Sequence, residues 1–195
     1  MKRIITISRE FGSGGRAIGR IIAEQLGIPF YDKELLTVAA EKSNIHIDVA
    51  KDADETAKTG FANAITGALG QDGLGVNDRL FVQQSNLIKE IAETTGGVIV
   101  GRCADYVLRD RDDVLKVFIH GDMENKIKRI MITEKVDEEE AKKLIEKTDK
   151  TRQAYYNHYS DTKWGAIDAF DISINSQIGI IQTAKVILTY LEQYK

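Results

Sequence analysis

A glycine-rich stretch directly after a short apolar strand constrains this chain more than any other feature. Residues 4–7 read Ile-Ile-Thr-Ile, a β-branched run typical of a buried strand, and residues 8–19 read SREFGSGGRAIG. Apolar positions at helical spacing continue to Leu26, and Gly27 ends the pattern. A strand, a glycine-rich turn and a helix in this order aim backbone N–H groups and the positive end of the helix dipole at one point. The stretch therefore predicts a phosphate-binding loop.

The loop departs from the usual P-loop ending, Gly-Lys-Ser/Thr. When Arg16 is aligned with the lysine, Ala17 stands where a magnesium-binding hydroxyl is expected, and Glu10 stands where the first glycine is expected. Arg16 keeps a positive charge at the lysine position, although a guanidinium is bulkier and prefers bidentate contacts. The candidate nucleotide-binding residues are Gly12, Ser13, Gly14, Gly15, Arg16 and Ala17. The alternative is a plain strand–turn–helix connection whose glycines only make the turn.

Composition narrows the class of protein. The chain has 195 residues and a formal net charge of −3, which fits one domain and argues against duplex nucleic acid as the main partner. It has one cysteine, Cys103, so no disulfide can form within it and a reducing compartment is expected. The N-terminus lacks the pattern of a signal peptide, and no apolar run is long enough to cross a membrane. These features predict a cytoplasmic protein without a membrane partner.

Strands alternate with helices along the chain, which predicts a parallel sheet with helices on both faces. The expected strands are residues 4–7, 28–31, 98–100, 114–119 and 171–174. The expected helices are residues 16–26, 78–93 and 180–194, together with helices that begin at Asp32, Asp122 and Asp137. Ligands of such sheets bind at the carboxyl ends of the strands. The candidate site is therefore formed by residues 9–16, residues 101–102 and the loop after Ile119.

The middle of the chain has weaker patterning. Residues 48–77 are rich in Ala, Gly, Thr and Asp, and apolar spacing is weak. This composition predicts a mobile lobe or a long loop with short helices, and a poorly ordered linker is the alternative. The same stretch is a candidate surface for a homodimer.

Five segments taken together resemble the cytidylate kinase-like family, relatives of bacterial cytidylate kinases among the P-loop nucleoside monophosphate kinases. The segments are ITISREFGSGG, AEQLGIPFYDKELL, VIVGRCADYVL, DKTR and WGAIDAFDISIN. The resemblance implies a single α/β domain over residues 1–195 with the three-layer P-loop NTPase fold and a five-stranded parallel sheet. It also implies an inserted helical lobe at 40–95 that binds the monophosphate, and a short lid at 134–165. The implied reaction is phosphoryl transfer from ATP, with Mg²⁺, to a nucleoside monophosphate, most simply CMP or dCMP.

The resemblance also implies roles for particular residues. Arg102 matches an arginine that meets the acceptor phosphate, and Cys103 replaces an aspartate that helps to read cytosine, for which Asp105 is a candidate substitute. The implied acceptor-binding residues are Arg79, Arg102 and Asp105, of which Arg79 is the loosest match. The implied catalytic residues, which include the lid segment, are Arg16, Arg102, Arg129, Asp149, Lys150 and Arg152.

Other polar residues have more ordinary interpretations. Lys126 and Lys128 are expected to be solvated surface residues. Glu10 would repel phosphate unless it is paired, either with Arg9 or, through water, with magnesium. The three histidines show no metal-ligand spacing, and Cys103 is expected to be a small buried residue rather than a reactive thiol. The aromatic residues near the lid are expected to pack its helix rather than to stack on a base; they are Tyr155, Tyr156, Tyr159 and Trp164.

Two other functions remain open. The replacement of the expected aspartate by Cys103 favours a kinase that acts on a small acceptor other than a nucleotide. The missing lysine and hydroxyl of the loop favour a nucleotide-binding sensor with little turnover.

Overall fold

The structure is a computed structural model that describes residues 4–32, 35, 37, 38, 41 and 75–193. Most of the predicted inserted lobe, up to residue 74, lies outside the described residues. No helix within the described ranges is both long enough and apolar enough to span a membrane.

Five parallel strands form one sheet in the order β2-β3-β1-β4-β5. The strands are β1 (Ile4–Arg9), β2 (Phe30–Tyr31), β3 (Gly97–Val100), β4 (Val114–His120) and β5 (Ile172–Asn175). All five predicted strands are confirmed, with ends shifted by one or two residues. The shift that matters most for the site is at the end of β1. This strand was predicted to end at residue 7 but continues to Arg9, which still pairs with Ile119 of β4.

Six α-helices have bounds within the described ranges, five of them between strands and the last after β5. They are α1 (Gly15–Leu26), α2 (Val76–Glu93), α3 (Ala104–Val107), α4 (Met123–Ile130), α5 (Glu138–Tyr159) and α6 (Ile180–Gln193). The predicted caps of α4 and α5 are confirmed, since Asp122 accepts a hydrogen bond from the Asn125 N–H and Asp137 accepts one from the Glu140 N–H. A helix predicted after Asp32 falls largely outside the described residues, but Leu35 within it is helical and buried.

Among the described residues, one large hydrophobic cluster covers each face of the sheet. On one face α1 and α6 pack through residues such as Ile18, Ile22 and Ile187. On the other face α2 and α3 pack through residues such as Ile88 and Leu108. Because helices cover both faces, the expected three-layer α/β architecture is confirmed.

The strand order fixes the position of the site. Strand β1 lies in the middle of the sheet, between β3 and β4. The segments that follow these three strands therefore meet at one edge. Helix α5 extends from the region predicted as a lid, packs on the end of α4 through Ile130, Ala141 and Ile145, and lies across this edge.

Candidate active site

The turn after β1 has the backbone geometry of an anion-binding loop. Gly12 and Gly14 have φ of 78° and 82°, and Gly14 is the N-cap of α1. The first hydrogen bond of α1 runs from the Ile18 N–H to the Gly14 carbonyl, so the helix satisfies none of the amides at 15–17. The first turn of α1 contains no acidic residue. These amides and the helix dipole are therefore available to a phosphate group.

A buried lysine holds the start of this loop in place through two ion pairs. The Lys126 side chain of α4 is only 6% exposed, and its Nζ lies 3.0 Å from Glu10 Oε2 and 3.1 Å from Asp149 Oδ2. Glu10 also accepts a hydrogen bond from the Gly121 N–H at 3.1 Å, and Asp149 accepts one from the Phe11 N–H at 2.6 Å. The prediction that Lys126 is a solvated surface residue is wrong, because its ammonium is held by two carboxylates inside the molecule.

The same contacts give Glu10 a different partner from either of the two that were expected. Its carboxylate is paired with Lys126, so its negative charge beside the phosphate loop is compensated. Lys128, one turn along the same face as Glu124, is exposed and pairs with that residue at the surface, as expected.

The lid-segment residues occupy different places. Asp149 connects α5 to the loop through the Phe11 amide, and burial raises the pKa of its carboxyl. Arg152, one turn later, donates to the Arg9 carbonyl at 3.2 Å and lies over the Phe11 ring. Lys150 is exposed. Of the three, Asp149 and Arg152 thus contact the segment that begins the phosphate loop.

Arg129 of α4 also contacts the loop. Its guanidinium donates to the Gly12 carbonyl, and burial lowers its pKa. A Cβ built on Gly14 would lie 3.5 Å from Arg129 Cζ and 2.1 Å from Ile180 Cδ1. Arg129 and Ile180, at the start of α6, therefore both lie close to the loop at Gly14.

A cleft of about 490 Å³ opens beside the loop, between the carboxyl ends of β1 and β3 and helix α5. Three half-buried arginines from three separate elements line it: Arg9 at the end of β1, Arg102 after β3, and Arg152 on α5. We call this the arginine cleft. The other described residues that line it are Ser8, Phe11, Asp32, Gly101, Cys103, Leu144, Lys147, Thr148, Thr151, Tyr155, Tyr156 and Trp164.

The turn after β3 is shaped to bring two of these arginines together. Gly101, Arg102 and Cys103 all have positive φ, at 77°, 60° and 52°. A Cβ on Gly101 would lie 2.1 Å from Arg9 Nη1, so only glycine leaves room for that guanidinium. The Arg9 guanidinium can therefore occupy its place only because the strained turn has a glycine at residue 101.

The arginine cleft is electropositive. Burial lowers the pKa of Arg9, Arg102 and Arg152, and the charge of Arg152 lowers that of Arg9 further. The negative charge of Asp32 opposes this effect, because it raises the pKa of all three guanidiniums. Guanidiniums remain protonated at neutral pH, so their mutual repulsion favours an anion in the cleft.

Asp32 directly follows β2 and connects this cleft to the phosphate loop. It is 4% exposed, and its Oδ2 lies 2.6 Å from Nε of Arg16, whose side chain is half exposed in the first turn of α1. The cation that replaces the P-loop lysine is thus held by a carboxylate of the neighbouring cleft.

The two residues suggested for base recognition lie at different depths. Cys103 is buried in the wall of the arginine cleft, and burial raises the pKa of its thiol well above the usual value. Asp105 is 3% exposed, and its carboxylate accepts hydrogen bonds from Ser8 Oγ at 3.2 Å and from Tyr156 Oη at 2.6 Å. Asp105 lies behind the wall, engaged by protein donors.

Arg79 lies in the first turn of α2, away from the described lining of the arginine cleft. Its Nε is buried and has no hydrogen-bond partner among the described residues. Arg79 was expected to bind the acceptor phosphate from the inserted lobe, most of which lies outside those residues. Its role in acceptor binding therefore stays a prediction.

Aromatic side chains fix α5 to α2, as expected for packing. The Tyr159 ring stacks on Phe81 with centroids 4.0 Å apart, and Tyr155 meets both rings edge-on. The Tyr155 hydroxyl donates to Gln84 at 3.1 Å. Trp164 packs edge-on against Phe118 of β4 and also borders the cleft.

Sequence reasoning missed Asp32 and Lys126, and it placed Arg9 in the candidate site without a ligand-binding role. Two of these three residues carried a signal, because Arg9 ends β1 and Asp32 follows β2, both at the edge of the sheet where ligands bind. Lys126 carried none, since it lies in a helix that is basic along most of its length. The described residues contain no group of three or more His, Cys, Asp or Glu side chains that could hold a metal ion.

The strand order and the position of the loop define a fold class, the three-layer P-loop fold. Solved structures with this fold include a shikimate kinase from Bacteroides thetaiotaomicron, with 15% identity, coverage of 98% of this chain and 99% of that chain, and a TM-score of 0.57. They also include a gluconokinase from Sinorhizobium meliloti 1021, with 14% identity, coverage of 98% and 93%, and a TM-score of 0.56. At this identity the likeness shows the fold alone.

Within that class the chain belongs to the cytidylate kinase-like family, whose model matches residues 4–178. An uncharacterized protein from Eubacterium ventriosum ATCC 27560 is 34% identical, covers 98% of this chain and 99% of its own, and superposes with a TM-score of 0.75. No curated protein matches the chain. The resemblance stated from the five sequence segments is thus confirmed, and the protein is a kinase-type phosphotransferase by family.

Proposed function

We propose that the protein transfers the γ-phosphoryl group of ATP to a nucleoside monophosphate, with CMP or dCMP as the acceptor. One observation carries the proposal: a phosphate loop and a cleft with three arginines share one edge of the sheet, and Arg152 touches the segment that joins them. Phosphoryl transfer requires two phosphate-bearing substrates placed in line and strong compensation of negative charge. Two adjacent anion sites match that requirement.

In this proposal each part of the site has a task. The amides at the start of α1 bind the ATP phosphates, and Arg16 and Arg129 add positive charge at the loop. The arginine cleft binds the acceptor phosphate through Arg9, Arg102 and Arg152. Magnesium supplies further charge compensation and enters with ATP, because Ala17 has no hydroxyl and the Glu10 and Asp149 carboxylates are held by Lys126.

The second candidate is a kinase for a different small anionic acceptor. It is favoured by the position of Asp105, whose carboxylate is occupied by Ser8 and Tyr156 behind the cleft wall, and by Cys103 in the wall itself. The third candidate, a nucleotide-binding sensor with little turnover, is favoured by the missing lysine and hydroxyl of the loop.

The test is ADP formation from Mg-ATP with CMP, dCMP, UMP, AMP, GMP or no acceptor. Stimulation by CMP or dCMP above the others supports the proposal. ATP binding in calorimetry without stimulation by any nucleotide overturns the proposed acceptor in favour of the second or third candidate. Absence of ATP binding overturns the kinase proposal altogether.

A pair of variants tests the loop assignment separately. Arg16→Ala is expected to weaken ATP binding by about 10-fold or more, because a charge-assisted contact to phosphate is lost. Arg20→Ala is the matched control, since Arg20 lies one turn further along α1 and stacks on the Phe30 ring instead. Equal ATP affinity in wild type and Arg16→Ala would show that Arg16 is not part of the ATP site.

A further inference from the structure

The ion pair between Asp32 and Arg16 joins the phosphate loop to the arginine cleft. Arg16 occupies the lysine position of the phosphate loop, whereas Asp32 lines the arginine cleft. Their atoms Nε and Oδ2 are 2.6 Å apart, and the Asp32 side chain is only 6% exposed. The contact is short, and its carboxylate is shielded from water while the Arg16 side chain is half exposed, so Asp32 restricts where the Arg16 guanidinium can lie.

Asp32 also balances charge within the arginine cleft. Arg9, Arg102 and Arg152 converge there, and Asp32 is the one acidic side chain among the described residues of its lining. Its field acts on all three guanidiniums. Without a carboxylate, three desolvated cations from three elements would repel one another in the empty enzyme.

We propose that Asp32 is a positioning residue that couples the two halves of the site, by fixing the place of the Arg16 guanidinium beside the start of α1 and by serving as the internal counter-ion of the arginine cleft. The proposal rests on the proposed function, because it takes the loop as the ATP site and the cleft as the site of an acceptor phosphate. It assigns Asp32 two effects of opposite sign on anion binding. Asp32 improves ATP binding through Arg16, and it weakens binding of an oxyanion in the cleft by competing with it for the arginines.

The variant Asp32→Asn separates these effects while keeping the size of the side chain. Mg-ATP is expected to bind several-fold more weakly, because Arg16 loses its charged partner. Inorganic phosphate, titrated into protein already saturated with Mg-ADP, is expected to bind about 10-fold more tightly, because one negative charge has left the cleft. Calorimetry measures both affinities. A general packing defect would weaken both, so weaker or unchanged phosphate binding overturns the counter-ion role.

A double-mutant cycle tests the coupling to Arg16. In the Arg16→Ala background, Asp32→Asn is expected to cause no further loss of Mg-ATP affinity, since the partner it positions is already absent. Equal losses in the two backgrounds overturn the positioning role. Asp113→Asn is the matched control, because Asp113 forms a comparable pair with Arg111 at 2.8 Å just before β4, at the opposite edge of the sheet; it is expected to change neither affinity.

These binding experiments do not depend on turnover. If wild-type protein forms no ADP with any nucleotide, the proposed acceptor fails while the two affinities still decide the role of Asp32. If turnover is found, Asp32→Asn is expected to lower kcat by about 10- to 100-fold without raising KM for the acceptor, as expected when Arg16 is misplaced and the cleft has gained positive charge. A raised acceptor KM at unchanged kcat contradicts the proposal.

Discussion

Lys126 shows how one buried side chain can organise a phosphate loop that it does not line. Its ammonium lies about equally far from two carboxylates, Glu10 before the loop and Asp149 on α5. Both carboxylates also accept backbone amides, so four segments of the chain meet at one charge. Breaking such a cluster leaves like charges close together in a half-buried place, which costs more than an exposed pair is worth.

Replacement of Lys126 by methionine is therefore expected to lower the free energy of unfolding by about 3 kcal/mol. Methionine keeps the apolar stem but leaves Glu10 and Asp149 facing each other without a cation. Urea denaturation measures the loss. Lys128→Met is the matched control, because Lys128 is on the same helix but pairs with Glu124 at the surface, and it is expected to leave the midpoint unchanged. A Lys126→Met midpoint equal to that of the control would contradict this account.

Asp105 gives a second prediction at the scale of one residue. Burial raises the pKa of its carboxyl above the ordinary value of 3.8, and the hydrogen bonds from Tyr156 and Ser8 offset only part of this. The folded state therefore holds its proton to a higher pH than the unfolded state does. As pH rises from about 4 through the raised pKa, the stability of wild type relative to Asp105→Asn should fall and then level off.

Urea unfolding at a series of pH values measures this difference, with Asp105→Asn as the reference that cancels other titrating groups. Because asparagine cannot ionise, its hydrogen bonds contribute an amount to the free energy of unfolding that does not change with pH. A wild-type stability that rises with pH relative to the variant would show that the ionised Asp105 is favoured in the fold.

For single residues, the sequence predicted roles that depend on the neighbouring residues in the chain. It did not predict roles that depend on a contact with a distant residue. Gly12 and Gly14 could be predicted because a turn after a strand needs positive φ. Lys126 could not, since burial of a lysine depends on carboxylates 116 and 23 residues away. The same reason hid the link between Arg16 and Asp32.

Among the elements, the turn after β3 has the strictest geometry. Gly101 combines a φ of 77° with a Cβ position that would collide with Arg9 Nη1 at 2.1 Å. The turn therefore determines whether the guanidinium at the end of β1 can enter the arginine cleft. A strand end and a neighbouring turn must fit each other before the cleft can bind an anion.

Gly101→Ala is expected to weaken binding of inorganic phosphate by about 10-fold or more, because Arg9 must move away from the cleft. Gly27→Ala is the matched control: Gly27 has a φ of 62°, but a Cβ there meets nothing within 4 Å. Both variants should lose about 1–2 kcal/mol of stability to the left-handed backbone, and only Gly101→Ala should lose phosphate affinity. Calorimetry and urea denaturation measure the two quantities, and parallel losses of affinity would contradict the role of the turn.

The elements themselves could be predicted well from the sequence. Strand ends were right to within two residues, and the caps Asp122 and Asp137 marked the starts of α4 and α5, because periodicity and capping are local signals. The position of the long helix α5 across the site was harder to predict from the sequence. Its packing depends on ring contacts such as Tyr159 on Phe81, which join residues far apart in the chain.

At the scale of the whole molecule, the strand order brings together what the chain separates. Strand β1 lies between β3 and β4, so the phosphate loop, Arg102 and α4 meet at one edge, and α5 closes over them from the following part of the chain. This convergence follows from a parallel α/β fold, and the sequence pattern predicted it. Of the three arginines of the cleft, Arg102 and Arg152 were expected from the resemblance, whereas the sequence assigned no ligand-binding role to Arg9.

Cys103 offers a way to follow the opening of this assembly. It is the single cysteine of the chain, it is 3% exposed, and it forms part of the cleft wall beneath α5. Burial raises the pKa of its thiol above the usual range, so the reactive thiolate is scarce in the closed molecule. Labelling of Cys103 therefore requires the cleft to open.

A thiol reagent at pH 8 is accordingly expected to label native protein at least about 100-fold more slowly than protein unfolded in urea, which corresponds to an opening free energy of about 3 kcal/mol. Tyr155→Ala removes the contacts of α5 with Gln84 and Phe81 and should speed native labelling, because α5 then separates more easily from α2. Tyr190→Ala on α6, which packs on the other face of the sheet, is the control and should leave the rate unchanged. Fast labelling of native wild type would mean that the cleft is open in the resting molecule. Equal rates in the two variants would mean that Cys103 is reached without separation of α5 from α2.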